Sequence, residues 1–591
     1  MLCDLTPEEV SRIIRQSMGR SPMPHLTDPQ VRQRAVRTAE SQGLPERLQR
    51  ELTPDQGIAA LTHSLFREYR RTGSRTGYER IARGLLRQTE LAAMACYLGL
   101  DYWQYLQDLM WADCERTWWI WPAHEAHAWP FDLHTAGVAR CYSIILGLLG
   151  ERLDAEVRRR VEQELRRRVL DVYLDPRHRG LHWRTVENNW NAVCHYGVAL
   201  TAMMLEPDGD RLAQIIATTL EELEVFVDAF SADGGCSEGP SYWRYGFGHY
   251  AMLAAALHDF TDGRLDIMAG ERIGRICRYP LATTVRPGLE LTFADAHEGY
   301  QSPTTAALIN RFHDVPELFG LCRTDDSGSL MVDSLDDLLL YDGAKHAPAE
   351  LSRDVLLVDL AVVKLYSGEM AVGAKAGHND EMHNHNDVGS FVVFRGRTRF
   401  LCDVGAPIYS ARTFNEHRYE SVFINSLGHS VPVIDGQGQG TGRQFAGNIS
   451  VSGLNTAGPK AVRIEMAGAY DAPSLKKLTR VIELRPGGEG LNLTDAYEFD
   501  AAPRPVAEVF MTVLPVRVAD DGRSATITSE ADGVLLIQAE CEGTFAVEEL
   551  VEQSAAESRT GELLRRIRFT PARLDRRMAL GFTLGLTRGS A

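Results

Sequence analysis

The chain has 591 residues, of which 44 % are hydrophobic and 24 % charged; it is about four times a typical single domain, and its composition excludes a disordered tail protein, a collagen-like repeat and a membrane bundle. Lys and Arg total 63 against 80 Asp and Glu, a net charge of −17 that repels nucleic-acid backbones and anionic membranes at long range. A polyanionic substrate survives that sign, because a local basic cleft outweighs it within a Debye length of about 8 Å.

The N-terminus, MLCDLTPEEVSRIIRQ, lacks the basic segment, apolar run and cleavage site of a secretory signal. No stretch reaches the roughly 18 uncharged apolar residues of a membrane span; the nearest, around Leu133 to Gly150, is interrupted by His134 and Arg140. Ten cysteines are scattered without a CxxC pair or cluster, which reads as small buried hydrophobes in a reducing compartment. A cytoplasmic protein is expected.

From about Thr53 to Leu340, apolar residues recur at three-to-four spacing in at least seven runs, among them IAALTHSLFREY, LLRQTELAAMACYLG, GVARCYSIILGLLG and AVCHYGVALTAMML. Successive helices follow from that period. Short turn signals such as Asp175-Pro176 favour antiparallel hairpins, which build bundles, solenoids or closed toroids. The arginines at 158–160 and 166–168, interleaved with Glu156, Glu162 and Glu164, read as a solvated helix face.

Beyond Pro348 the pattern changes to short β-branched and aromatic runs such as SFVVFRG, AVRIEMAG, RVIELR, SATITS and LGFTLGL, with a short helical pattern near Ala555 to Leu564. These predict antiparallel strands of a sandwich. The expected domains are 1–345, helical, and 346–591, sheet.

Three segments concentrate chemistry. In HNDEMHNHNDVGSFVVFRG (378–396), His383 and His385 share a face if extended and diverge only in a loop. His385 with Asp403 of FLCDVG and His429 of INSLGHSVPVI makes a three-ligand zinc set on chemical grounds, two imidazoles and a carboxylate; solvated turn residues are the alternative. In HWRTVENNWNAVCHYG (182–197), Asn188 and Asn189 beside Trp190 read either as a helix cap or as amide donors. DGGCSEGPSYWRYG (233–246) reads as a constrained loop presenting Tyr242, Trp243 and Tyr245, flat faces of the kind a sugar cleft needs. WWIWPAHEAHAWPFDLHTA (118–136) adds His124, His127 and Asp132, either core with Asp132 as a cap or the wall of a carbohydrate cleft.

In this order, and colinear from about 118 to 435, these segments are similar to the heparinase II/III-type family of polysaccharide lyases. The resemblance implies an α+β multidomain fold, an N-terminal incomplete α/α toroid followed by a C-terminal antiparallel β-sandwich, with the active site between the halves. It implies β-elimination at a uronic acid. That reaction must quench the C5 carboxylate, remove the C5 proton and protonate the leaving O4. Tyr245 best matches the family's catalytic tyrosine, with Tyr242 a competitor, and His383 its catalytic histidine, a base for one uronate epimer. A phenol with its ordinary pKa near 10 serves as base only where cations stabilise the phenolate. Carboxylate neutralisation falls to Asn188, Asn189 or Asn191, with His182 and His195 nearby. His124, His127, Trp190, Glu238, Trp243 and Arg418 are assigned to substrate binding. His385, Asp403 and His429 match the ligands of the family's zinc-binding members, a structural site. Expected partners are an anionic oligosaccharide or polysaccharide, a glycosaminoglycan such as heparin or heparan sulfate, or alginate, with neither nucleic acid nor membrane; homo-oligomerisation is left open. The rivals are a glycoside hydrolase using Asp233 and Glu238, a metal hydrolase reading HNHND as HxHxD, and a noncatalytic carbohydrate binder.

Overall fold

The computed structural model describes residues 5–127, 130–341, 346–500 and 502–587, and no side chains at 126 and 127. It divides into two compact units. Met1–Phe230, Tyr242–Cys277 and Tyr300–Ala349 form the first; Ser231–Ser241, Arg278–Gly299 and Glu350–Ala591 form the second. The expected division after residue 345 lies close to the last of these boundaries, but two internal segments, 231–241 and 278–299, belong with the sheets. Hydrogen bonds account for the second of them: the Lys364 ammonium donates to the carbonyls of Leu281 (2.7 Å) and Thr284 (2.6 Å), and the Tyr366 hydroxyl to that of Val285 (2.8 Å).

The first unit is helical. Its longer helices are Thr76–Tyr97, Trp103–Cys114, Leu133–Leu149, Ala155–Leu165, Asn189–Leu205, Gly209–Asp228 and Pro240–Thr261. Their starts are chemically specified: Asp132, Asn188 and Asp208 each accept backbone N–H bonds from the first turn of the helix that follows. Each such cap stabilises by about 1 kcal/mol. The run IAALTHSLFREY forms only two short helices, His63–Phe66 and Glu68–Thr72. Leu133–Leu149 packs on Asn189–Leu205 at Gly197, where a β-carbon would come within 2.8 Å of the Ala136 carbonyl oxygen. That close approach corrects the membrane reading in detail. Leu133–Arg152 is long and apolar enough to cross a bilayer, but 67 % of its most apolar window is buried inside the protein, so its hydropathy belongs to a core helix.

Among the described residues the second unit carries four antiparallel sheets, the smallest being the pair Thr284–Arg286 and Leu289–Glu290. One is a five-strand meander of Val355–Leu357, Val362–Ser367, Met370–Lys375, Phe391–Arg395 and Thr398–Leu401. The largest has nine strands, with Gly490–Phe499 paired between Leu475–Leu484 and Arg577–Thr587. Gly377–Asn379 forms an edge of that sheet by pairing with Gly442–Ser452. A four-stranded sheet is built around Val506–Thr512 and Arg565–Pro571. Buried residues of the three larger sheets, including Val393, Ile482, Leu493, Phe510, Phe569 and Phe582, form one continuous core. The short helix expected at Ala555–Leu564 is Val551–Glu557. Nine cysteines are described, all free, eight of them buried.

Candidate active site

In the first unit, SYWRYG is not a loop: Pro240 opens the helix Pro240–Thr261. Trp243, Phe247 and Tyr250, at helical spacing, are buried, and the Trp243 N–H donates to the Ile276 carbonyl (2.9 Å). Trp243 is therefore a core residue, and its assignment to substrate binding is corrected: a ring stacked on Phe247 at 5.2 Å offers no open face to a sugar. The other side of the helix carries Tyr242, half-buried, Tyr245, 39 % exposed, and His249 one turn further on. His249 Nδ1 donates to the Tyr245 carbonyl (2.7 Å), and the two rings meet edge to face at 5.0 Å. Gly246 brings this helix onto Asn189, where a β-carbon would lie 3.1 Å from the Asn189 Cα. That contact sets Tyr245 beside the start of Asn189–Leu205.

Asn188 caps that helix, its carbonyl oxygen accepting from Trp190 N–H (3.0 Å), so its amide N–H₂ remains the donor. Asn189 is buried. Asn191 is structural, its amide donating to the carbonyls of Arg184 and Glu222 (3.0 Å each). His195 is fully buried. His124 donates through Nδ1 to Asp132 Oδ2 (2.6 Å), which also accepts Trp121 N–H (2.8 Å). Its ring meets Trp190 edge to face at 4.7 Å. His127 lies outside the residues whose side chains are described. Burial pushes the Tyr245 phenol up to about 12, with Cys194 adding to the rise and Arg83 and Arg140 opposing it; water at the exposed ring screens part of that shift. Burial pulls His249 down to about 4, and Arg140 adds to the fall. Tyr245 and His249 are therefore both neutral at pH 7, the charges of Arg83 and Arg140 offsetting only part of the rise at the phenol.

In the second unit, the centre is Asp295, which sequence reasoning missed. His383 Nδ1 donates to its Oδ2 (2.8 Å), and His385 Nε2 to its Oδ1 (3.0 Å). Arg418 Nη2 donates to Oδ2 (3.0 Å) and to the Asn384 carbonyl (2.9 Å), so Arg418 orders this cluster. His383 and His385 thus converge on one carboxylate, with the His383 backbone in the left-handed region at φ 56°. Glu238 Oε1 lies 3.3 Å from His383 Nε2, and the Tyr409 hydroxyl 3.4 Å from Nδ1, with the Arg559 guanidinium 4.5 Å above the Tyr409 ring. Burial raises Asp295, but the hydrogen bonds from His383 and His385 and the charge of Arg418 outweigh it and hold the carboxyl well below its usual range.

Beneath them, His385, Asp403 and His429 are buried, with one candidate ligand atom from each lying within 4.8 Å of the others. His385 Nδ1 and His429 Nε2 have no hydrogen-bond partner. Two orphaned imidazole lone pairs beside a carboxylate fit a metal ion, since unmade bonds there cost about 1–3 kcal/mol each. His429 Nδ1 bonds Asp403 Oδ2 (2.9 Å). The frame is stiff: Lys375 clamps Asp387 (2.8 Å) and Glu381 (3.3 Å), and the buried Arg480 donates to the Gly389 (2.8 Å) and Ser430 (2.6 Å) carbonyls.

Two rival readings lose their residues here. Asp233 is spent on a turn, accepting from Ser231, Gly235 N–H and Asp359 N–H, so it does not pair with Glu238 as a hydrolytic carboxylate. The aspartate of the HxHxD pattern, Asp387, is neutralised by Lys375 and stands outside the metal-holding group.

Residues 353–575 match the family model "Heparinase II/III-like, C-terminal", which bears out the resemblance for the motif segments from 378 onward. No curated protein matches the chain. Among solved structures it is similar to heparinase III (15 % identity, TM-score 0.62, covering 97 % of this chain and 94 % of that one). It is also similar to heparan sulfate lyase HepC from Pedobacter heparinus (12 %, 0.55, 99 % and 88 %). A third is the Streptomyces coelicolor A3 chondroitin AC lyase in complex with chondroitin sulphate (12 %, 0.51, 99 % and 83 %). At such identities the likeness is one of fold, and the toroid-then-sandwich class expected from the sequence is the class these structures share.

Proposed function

We propose that this protein is a carbon–oxygen lyase that cleaves uronic-acid-containing glycans by β-elimination. The observation that carries the reading is the His383 cluster. The Asp295 carboxylate holds Nδ1 of this imidazole, and Nε2, 3.3 Å from Glu238 Oε1, is the edge at which a proton is exchanged. The helical unit carries an exposed phenol at Tyr245, next to the Gly246 that packs on Asn189, and the Asn188 amide at the start of the same neighbouring helix.

In this mechanism the amides donate hydrogen bonds to the uronate carboxylate and stabilise the enolate-like charge that builds on it. His383 takes the C5 proton of one epimer; the C5 electrons form the C4=C5 bond, the C4–O bond breaks, and Tyr245 protonates the departing oxygen. A phenol pushed up to about 12 stays protonated at neutral pH, which suits an acid. Zinc is the proposed ion for His385, Asp403 and His429. It would supply a structural cross-link between the segments bearing these ligands, and no step of the elimination runs through it. Nine free cysteines support a reducing compartment such as the cytoplasm. Glycosaminoglycan fragments are the first substrates to try and alginate oligomers the second. Incubation with heparin, heparan, chondroitin, hyaluronan and alginate oligosaccharides should produce new ultraviolet absorbance from an unsaturated uronate with at least one of them. Silence across the whole panel would refute the reading.

A further inference from the structure

Within the second unit, one carboxylate serves both imidazoles of the His-Asn-His segment. Asp295 gives Oδ2 to His383 Nδ1 at 2.8 Å and Oδ1 to His385 Nε2 at 3.0 Å. An ionised carboxylate only accepts hydrogen bonds, so both nitrogens must carry protons. For His385 the consequence is visible: its other nitrogen, Nδ1, is fully buried, unpartnered and within the metal-holding group. For His383 it leaves Nε2, beside Glu238, as the working edge.

The backbone is shaped for this contact. Asp295 N–H donates to the His383 carbonyl (3.2 Å), reciprocating the side-chain bond. Ala294 (φ 63°) and His383 (φ 56°) both adopt the left-handed conformation, uncommon for residues with a β-carbon. Gly239, where a β-carbon would meet that of Ala296 at 2.5 Å, admits the Glu238 segment against the same strand of chain. Arg418 completes the set with its bond to Oδ2 (3.0 Å).

We propose that Asp295 is a positioning residue that fixes two imidazoles at once: His383 as the Nδ1–H form for proton transfer at Nε2, and His385 as the Nε2–H form whose Nδ1 faces a metal ion. The His383 arm rests on the lyase reading; the His385 arm does not. An outer carboxylate on a metal-binding histidine typically contributes 10–100-fold to metal affinity, and an aspartate that fixes a catalytic histidine's tautomer governs turnover rather than binding.

The test is Asp295→Asn in the full-length protein. Its side-chain amide has one accepting oxygen, so one imidazole loses its acceptor. Zinc alone, titrated into metal-free protein against a chromophoric chelator, should bind 10–100-fold more weakly than to wild type. Turnover should fall at least 100-fold with KM within about threefold. Zinc affinity and kcat both within threefold of wild type would overturn the proposal. Should the variant fail to fold, nitrogen-15 histidine spectra of the wild-type protein, assigned with His383→Gln and His385→Gln, decide it. Protons on His383 Nδ1 and His385 Nε2 are expected, and a bare nitrogen at either position overturns it. A wild-type protein that yields no unsaturated product would sink the lyase reading but leave the zinc and nitrogen-15 results standing.

Discussion

Burial has opposite outcomes at Tyr245 in the helical unit and at Asp295 in the sheet unit. In the helical unit it keeps Tyr245 and His249 neutral: the phenol is pushed up to about 12 and the imidazole down to about 4. In the sheet unit burial is outweighed by pairing, so that Asp295 and Asp403 are held ionised against His383, His385, His429 and Arg418. Neutral donors suit the quenching of a substrate carboxylate and the protonation of a leaving oxygen. A buried carboxylate is suited to orienting an imidazole that must move a proton. The division of labour follows from which groups each fold lets approach one another.

Removing either half's reactive group should have the largest effect. Tyr245→Phe and His383→Ala should each lower turnover by about 10²–10⁴ while the melting temperature stays within a degree or two; full activity in both variants would dissolve the comparison. Next comes the packing that sets Tyr245 beside the amides. Gly246→Ala would drive a methyl into Asn189 and Phe226, each 3.1 Å from the added carbon, and should cost about 1–3 kcal/mol by denaturant unfolding. A neutral result there would mean that the two helices can part.

The third separates the units by pH. His134 and His195, fully buried and pulled down to about 3 by burial, stay neutral when folded. The unfolded chain binds those protons below about 6.5, so stability falls as pH drops from there toward 4, by up to about 1.4 kcal/mol per pH unit for each histidine. The lowered carboxyls Asp295 and Asp403 lose their contribution only below the usual carboxylate range near 4, and His385, moved down, opposes His429, moved up. Helical circular dichroism should therefore melt progressively earlier between pH 6.5 and 4.5, and a flat profile would contradict the assignment. The smallest effect sharpens the role of Asn188. Asn188→Ala should cost about 1 kcal/mol as a lost cap. Asn188→Asp should keep the cap yet abolish turnover, because a carboxylate cannot donate to another; equal activity in the aspartate variant would confine Asn188 to capping.

The change of period from helix to strand, the HNHND segment and the His385, Asp403 and His429 group were legible because each is local or chemically rare. Asp295 was not, since it stands 88 residues from His383 in sequence and ADAH has no distinguishing composition. The strand Gly442–Ser452 was also missed: its first half is mostly polar or small and half-exposed, and only Ile449 and Val451 alternate toward the core, a run too short to mark a buried face. Trp243 could have been read correctly. Its spacing to Phe247 and Tyr250 is the 3.6-residue period of a buried helix face, which leaves Tyr245 and His249 on the other side.

Elimination adds no water to either product, whereas hydrolysis adds one oxygen. Mass spectrometry of products formed in oxygen-18 water, on whichever uronate glycan the protein cleaves, should show an unsaturated end and no solvent oxygen. One heavy oxygen per cleavage, with no unsaturated end, would contradict the account.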